Sequence, residues 1–336
     1  MTGYLHPPFI HCGLRVGLLL GLLNAAIGCG EDFDPYIRLE GPRVLAIAAH
    51  PPAPEPGEVS GFVPLVYLPA PDPSLTYAWS WCPVAGTAND GYPCLISEAE
   101  LAALSAQAGL PPPPPYDLGR GPTARLQHLI SPALLAQICA GAPGTMAGLD
   151  CEGGFPVQIR LRVTTATRSI DAVRTLRLRF DPSHEPNDNP TIMGLLAEVA
   201  KDDPPVTDQA GEVVKVDRPL TSEADLVIPR HKETRIKALV SPAVSQEYTG
   251  KGNNLETTRL RERLIFTWFV ESGDVDEEKT GYIDGLTPLE VATTNKWTPA
   301  LARDYQPTTA RLIVVIRDNR GGVSWATGAV RLGEAP

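Results

Sequence analysis

The sequence carries no motif that marks a catalytic or nucleotide-binding site. It has no G-x-S-x-G, H-E-x-x-H, P-loop or G-x-G-x-x-G pattern. Only four histidines follow residue 28, and none lies beside a recognisable partner motif: His50, His128, His184 and His231. Because catalysis needs a positioned nucleophile, base or metal, the sequence does not indicate an enzyme.

Basic charge is also scarce. The chain has 29 lysines and arginines against 39 aspartates and glutamates, which gives a formal net charge of −10. An acidic chain repels the phosphates of nucleic acids and the headgroups of anionic lipids. We therefore expect no nucleic-acid partner.

Long helices are not expected. The 336 residues include 35 prolines and 30 glycines, a density that favours short strands joined by turns. Hydrophobic residues make up 43% of the chain, which is enough to build a core. The length suits two domains of ordinary size.

The N-terminal segment has the three parts of a secretory signal peptide. Arg15 is the only charged residue in 1–28, an apolar run follows at 16–23, and small residues precede Cys29. The stretch 16–28 is shorter than the roughly 20 apolar residues that span a bilayer. We predict a signal peptide over 1–28. An ordinary cleavage site nearby, with Cys29 free or disulfide-bonded, is the alternative.

The sequence Ala26-Ile27-Gly28-Cys29 resembles a bacterial lipobox. The resemblance implies that Cys29 is lipidated, that 29–42 is a tether, and that the acyl chains hold the protein to a membrane. Gly30, rather than Asp, follows the cysteine, which is similar to the pattern of lipoproteins sorted to the outer membrane. The expected location is therefore the cell envelope, at the outer membrane.

Four further cysteines lie in the body of the chain. In an oxidising compartment an even number indicates two disulfides, and three pairings are possible. Pairs that each close a short loop are favoured, Cys82 with Cys94 and Cys139 with Cys151. One alternative joins Cys82 to Cys151 and Cys94 to Cys139. A zinc site is a weaker possibility, because the sequence lacks a C-x-x-C pair.

The first half of the chain predicts a β-sandwich over 43–180. Strands are expected at 43–49, 61–68, 76–82, 155–164 and 170–180. Tyr77, Trp79 and Trp81 alternate along the third strand, either as core residues or as a stripe that binds sugar. This order resembles the opening strands of an immunoglobulin-like domain: a first strand, a Pro/Gly turn, a second strand, and a strand with a core Trp.

Residues 83–150 interrupt this strand pattern. Ser97 and Glu100 form a capping box that predicts a helix to about residue 108, and a second helix is expected from Pro132 to near Gly141. The segment is predicted to be an insertion held by the disulfides. Three interpretations are open: a structural surface loop, a binding surface, or the lid of a hydrolase. A hydrolase would require a histidine near a Ser or Cys nucleophile and an acidic group.

Residues 181–190 form a linker before a second set of strands over 191–336. These strands are expected at 191–199, 211–220, 226–229, 234–240, 261–270, 310–317 and 323–332. The aromatic strand at 264–270 echoes the one at 75–81. Most of residues 43–332 thus resemble two tandem immunoglobulin-like, or polycystic-kidney-disease-like, sandwiches, an all-β fold.

The linker contains a candidate calcium site. The sequence of 185–190, Glu-Pro-Asn-Asp-Asn-Pro, is similar to the calcium-binding linker of cadherins. Oxygen ligands at a domain junction bind Ca²⁺ and would stiffen a hinge. The candidate ligands are Glu185, Asn187, Asp188, Asn189, Asp274 and Asp276. A tight turn uses the same residue types and is the alternative; apart from this site, no cofactor is expected.

These observations predict a non-catalytic role in interaction, adhesion or scaffolding. The expected partners are the membrane, through the acyl chains on Cys29, and envelope proteins. A glycan-binding accessory lipoprotein is an alternative, and it requires aromatic side chains exposed on one sandwich face.

Overall fold

The fold is known from a computed structural model, which describes residues 36–87, 89, 91–107, 109–140, 151, 153–201, 205–251, 256–300 and 308–333. The predicted signal peptide and Cys29 lie outside the described residues. The described residues from Ile37 onward belong to one compact unit. None of the helices in the described part of the chain is both long and apolar enough to cross a membrane.

The described residues of the first sandwich form seven strands in two sheets. The strands are β1 (Arg43–His50), β2 (Val59–Tyr67), β3 (Thr76–Cys82), β4 (Asp117–Gly119), β5 (Ala124–Gln127), β6 (Phe155–Thr164) and β7 (Ser169–Leu178). One sheet has the order β1-β2-β5 and the other β4-β3-β6-β7. Alternate side chains of both sheets meet in a core that includes Phe62, Trp79, Trp81, Ile159 and Leu176.

The described residues of 83–150 include two helices, α1 (Glu98–Gln107) and α2 (Pro132–Cys139). The predicted capping box forms, because the Glu100 N–H donates to Ser97 Oγ at 3.2 Å and the Ser97 N–H donates to Glu100 Oε2 at 2.7 Å. Cys82 is joined to Cys94 and Cys139 to Cys151, each pair twelve residues apart, which is the favoured pairing. The segment differs from a simple insertion in one respect: it also supplies β4 and β5 to the two sheets.

The second sandwich contains the remaining described strands. They are β8 (Ile192–Ala200), β9 (Lys215–Leu220), β10 (Val227–Pro229), β11 (Thr234–Val240), β12 (Glu247–Lys251), β13 (Thr257–Arg261), β14 (Leu264–Val270), β15 (Asp274–Val275), β16 (Lys279–Tyr282), β17 (Thr294–Thr298), β18 (Thr309–Asp318) and β19 (Val323–Gly333); the short helix α3 (Leu289–Ala292) precedes β17.

Its two large sheets have the orders β10-β19-β18-β14-β16 and β15-β17-β11-β8-β9. Within the described part of the chain, β12 and β13 form a separate two-stranded sheet. Trp268, Trp297 and Phe266 fill the core between the sheets. The prediction of an all-β chain with two immunoglobulin-like sandwiches, the first carrying a disulfide-stapled and partly helical insertion, is confirmed.

Candidate functional site at the junction of the sandwiches

The outer face of the β18 sheet is apolar and packs against the first sandwich. Along β14 and β18, alternate side chains point into the second core, and those between them point the other way. The outward residues form a separate buried cluster with residues of the first sandwich: Leu39, Leu45, Ala46, Tyr67, Phe269, Ile313, Val315 and Val323. Both faces of β18 are therefore buried, and the two sandwiches share a hydrophobic interface.

Hydrogen bonds run along the same interface. Arg311 Nη2 donates to the Leu68 carbonyl at 2.7 Å, and Arg317 Nη2 donates to the Leu45 carbonyl at 2.7 Å. The Tyr67 hydroxyl donates to Glu271 Oε1 at 2.8 Å. Burial, together with this hydrogen bond, raises the pKa of Tyr67, so the phenol remains a neutral donor at physiological pH.

A buried arginine bridges the sandwiches near the end of β18. Arg174, on β7, donates to the carbonyl of Ile47 on β1 and to the carbonyl of Gly321 in the β18–β19 turn. Burial lowers the pKa of Arg174 to about 10, which still leaves the side chain charged at neutral pH. A buried charge with two backbone acceptors fixes the position of the turn relative to β1.

The linker 181–190 is tied to both sandwiches. Asn189 Nδ2 donates to the Ala49 carbonyl at 2.8 Å, and the Val323 N–H donates to Asn189 Oδ1 at 2.7 Å. Arg320 Nη2 donates to the carbonyls of Glu185 at 2.6 Å and of Pro186 at 2.9 Å. These bonds hold the linker as part of the interface.

A buried ion pair supports the linker from the second sandwich. Glu262 is 1% exposed, and its Oε1 accepts from Arg320 Nη1 at 3.1 Å. Burial raises the pKa of Glu262 to about 7, while Arg320 and the Gln246 N–H partly oppose this effect.

The candidate calcium ligands are not brought together. Asn187 Nδ2 donates to Asp318 at 3.4 Å, and Asp318 pairs with Leu264 at the start of β14. Asp274 instead accepts from Arg38 at 2.7 Å, and Arg38 pairs with Val270 at the end of β14. Six residue steps of a strand separate these ends by about 20 Å.

The remaining candidate ligands have protein partners of their own. Glu185 accepts from Arg259, Asp188 accepts from Gln246, Asn189 bonds both sandwiches as described, and Lys296 lies 3.9 Å from Asp276. Among the described residues, no group of three or more His, Cys, Asp or Glu side chains could hold a metal ion. Glu185, Asp188 and Asn189 thus bond to residues of the sandwiches, while Asp274 and Asp276 lie near Arg38 and Lys296.

The histidines are placed in separate environments. His128 is buried, its Nε2 lies 2.8 Å from the Arg179 carbonyl, and burial lowers its pKa. His50 Nδ1 lies 3.0 Å from Asn189 Nδ2, His184 packs edge-on against Phe180, and His231 is exposed. None of these three contacts pairs a histidine with a Ser or Cys side chain.

The aromatic stripe of β3 belongs to the core. Trp79 and Trp81 are each 2% exposed, and their indole N–H groups donate to the carbonyls of Gly121 and Pro115. Tyr77 is partly buried against the same core. The stripe therefore cannot serve as a sugar-binding surface.

A cleft of about 430 Å³ opens where the linker meets both sandwiches. Arg177 comes from the first sandwich, Glu185 and Asn187 come from the linker, and Tyr248 and Arg263 come from the second sandwich. The hairpin of β12 and β13 forms one wall. This hairpin is not among the strands predicted from the sequence, although the alternating Thr, Arg and Leu residues of 257–261 carry a weak strand pattern.

Comparisons with known proteins give no family. No family model and no curated protein matches the chain.

Solved structures match it only weakly. Murine CEACAM1b is 10% identical with a TM-score of 0.21, covering 86% of this chain and 100% of its own. A chimeric titin Z1Z2-Z1Z2 tandem is 10% identical with a TM-score of 0.23, covering 88% and 100%. Protocadherin Gamma B2 extracellular cadherin domains 3–6 are 11% identical with a TM-score of 0.17, covering 88% and 76%. At such scores the fold assignment rests on the strand order described above.

Proposed function

We propose that this chain is a non-catalytic interaction protein of the bacterial cell envelope, attached to the outer membrane through acyl chains on Cys29. The observation that carries the proposal is the junction, where an apolar cluster and a set of hydrogen bonds join the two sandwiches into one body. A rigid body of this kind presents its surfaces in a fixed arrangement, which suits recognition or scaffolding.

The proposed attachment is supported by the sequence. A cysteine directly follows a short apolar core and small residues, as in a lipobox. A single acyl chain gives only marginal membrane binding, whereas the several chains of a bacterial lipoprotein hold it stably. The proposal needs no membrane-spanning helix.

The attachment is tested by replacing Cys29 with Ser in the full chain. We expect the wild-type protein to incorporate labelled palmitate and to fractionate with outer membranes, and we expect Cys29→Ser to lose both properties. Cys12→Ser is the matched control, since Cys12 lies in the same predicted signal peptide and should leave labelling unchanged. Palmitate incorporation by Cys29→Ser at the wild-type level would contradict the proposal.

A further inference from the structure

A groove of about 790 Å³ opens along one side of the second sandwich. It lies between β9 and β10, which are edge strands of the two large sheets, and neither has a further pairing partner in the described part of the chain. The chain crosses from β9 to β10 through residues 221–226, which border one end of the groove. The groove therefore leads into the space between the two sheets.

The floor of the groove is apolar. Ile228 on β10 is fully buried, while Val199 on β8 and Leu226 pack against the core from partly buried positions. Val213 and Val227 also line the groove and remain 38% and 49% exposed. Covering such side chains with an apolar ligand is favourable, because it removes their surface from water.

The edge strands that wall the groove are poorly suited to pairing with a peptide. Pro219 lies on β9 and Pro229 lies on β10, so each strand lacks one backbone N–H. Both strands are also short, with six residues in β9 and three in β10. An apolar ligand that needs no backbone hydrogen bonds therefore fits the groove better than an added strand.

An arginine faces the groove from the edge strand β9. Arg218 pairs with Ala197 on β8, and residues paired in this way project from the same face of a sheet. Because Ala197 is buried in the core, Arg218 lies on the inner face of its sheet. The residue is exposed, and no described residue forms an ion pair or a hydrogen bond with its side chain.

Lys232 and Asp225 line the groove from opposite ends of β10. Asp225 precedes the strand, in the connection from β9, and its Oδ2 accepts from Thr221 Oγ1 at 3.2 Å. Lys232 follows the strand and is exposed, and its side chain has no ion-pair or hydrogen-bond partner among the described residues. A cation thus stands at the end of the groove that lies away from the 221–226 connection.

Two other carboxylates of the lining already form ion pairs. Glu198 Oε1 lies 3.2 Å from Lys215 Nζ, and Glu233 Oε1 lies 3.0 Å from Lys296 Nζ. A paired carboxylate repels an incoming anion less than a free one does. The groove therefore combines an apolar floor with cations that can receive one anionic group.

We propose that this groove binds a long-chain fatty acid. The acyl chain covers the apolar floor between the two sheets, and its carboxylate contacts Arg218 and Lys232. The volume of about 790 Å³ lies within the range of small-ligand sites. A fatty acid matches both parts of the groove, because it is an unbranched apolar chain that ends in a single negative charge.

The groove lies in the second sandwich and does not involve Cys29. Loss of fatty-acid binding would leave palmitate labelling of Cys29 unchanged, and failed labelling would leave the groove intact. The two proposals can therefore fail separately.

The test is displacement of the fluorescent fatty acid cis-parinarate from the full chain carrying Cys29→Ser, purified without detergent. This substitution removes the proposed acyl chains, which would compete for the groove. We expect dodecanoate to displace the probe. Hexanoate, with the same head and a shorter chain, and dodecyltrimethylammonium, with the same chain length and a positive head, should each bind at least tenfold more weakly.

Variants of the groove assign the two parts of the ligand. Arg218→Gln and Lys232→Gln should each weaken dodecanoate binding at least threefold, and together at least tenfold, without weakening dodecyltrimethylammonium binding. Val227→Asp, at a half-exposed position, should weaken dodecanoate binding at least threefold. The matched control is Arg125→Gln, an exposed arginine on β5 of the first sandwich, which should bind as the parent chain does.

Thermal unfolding of each variant separates lost binding from lost folding. The proposal is overturned if dodecanoate does not displace the probe, or if the double variant at Arg218 and Lys232 binds it normally. It is also overturned if dodecyltrimethylammonium binds as tightly as dodecanoate, or if a lysophosphatidylglycerol of the same chain length binds more tightly.

Discussion

At the scale of single residues, Glu262 shows how far environment can depart from sequence context. It lies between Arg261 and Arg263, a run of charges that usually faces solvent. In the structure it is buried and paired with Arg320, whose other donors hold the linker. The carboxyl therefore links protonation to the integrity of the junction.

This link predicts a pH dependence of stability. The pKa of Glu262 is about 7 in the folded chain and close to 4.5 when unfolded, so the folded state binds more protons between these values. The associated stability is fully present below about pH 4.5 and is lost as the pH rises through 7. At 1.36 kcal/mol per pKa unit it amounts to roughly 3 kcal/mol.

The measurement is urea unfolding of wild type and Glu262→Gln at pH 5, 6, 7 and 8. We expect the free energy of unfolding of the wild type, relative to the variant, to fall by up to about 3 kcal/mol across this range. Glu247→Gln, on the neighbouring strand β12, is the control that retains Glu262. A wild-type-to-variant difference that does not change with pH would show that the buried carboxyl titrates normally.

At the scale of elements, two turn glycines of the second sandwich allow the effect of backbone conformation on stability to be distinguished from the effect of packing. Gly273, between β14 and β15, has φ of +79°, and a Cβ there would lie 1.9 Å from the Thr298 carbonyl oxygen. Gly285, after β16, has φ of +72° and nothing within 4 Å of the same position. The two differ in surroundings and hardly in conformation.

We expect Gly285→Ala to lower the free energy of unfolding by about 1 kcal/mol, because a residue with a side chain is disfavoured in the left-handed conformation. Gly273→Ala should cost at least about 2 kcal/mol more, because the turn must move away from β17. Urea unfolding of both variants gives the comparison. Equal losses would mean that the turn at Gly273 is not held against β17 as described.

The long elements could be predicted because their patterns are local. The alternation of apolar and polar residues in β3 and β6 predicts the bounds that the structure shows for both strands, and the capping box predicts where α1 begins. Short strands such as β15 and β16 carry too few residues for a pattern. They form because β14 and β17 are already in place to pair with them.

The junction could be predicted only in part. The unbroken apolar run of 312–316 is typical of a strand buried on both faces, as β18 is. Nothing local to Arg174 or Arg320 distinguishes it from a solvated arginine. Their roles depend on backbone carbonyls that lie more than a hundred residues away in the chain.

At the scale of the whole molecule, the sandwiches contact each other along their strands as well as through the linker. Contacts of β18 with the first sandwich extend from Arg311, which bonds Leu68, to Arg317, which bonds Leu45. The Arg174 bridge continues them to the β18–β19 turn. An interface of this length holds the two sandwiches in one orientation through contacts between protein groups.

The central claim, that the two sandwiches form one rigid body, is tested by a distance measured between them. Spin labels at Arg125→Cys on β5 and Arg218→Cys on β9, both exposed positions, report on the first and second sandwich in a Cys29→Ser background. Pulsed electron paramagnetic resonance should give a single narrow distance distribution that calcium does not alter. A broad or multiple distribution, or one that narrows only when calcium is added, would contradict the account.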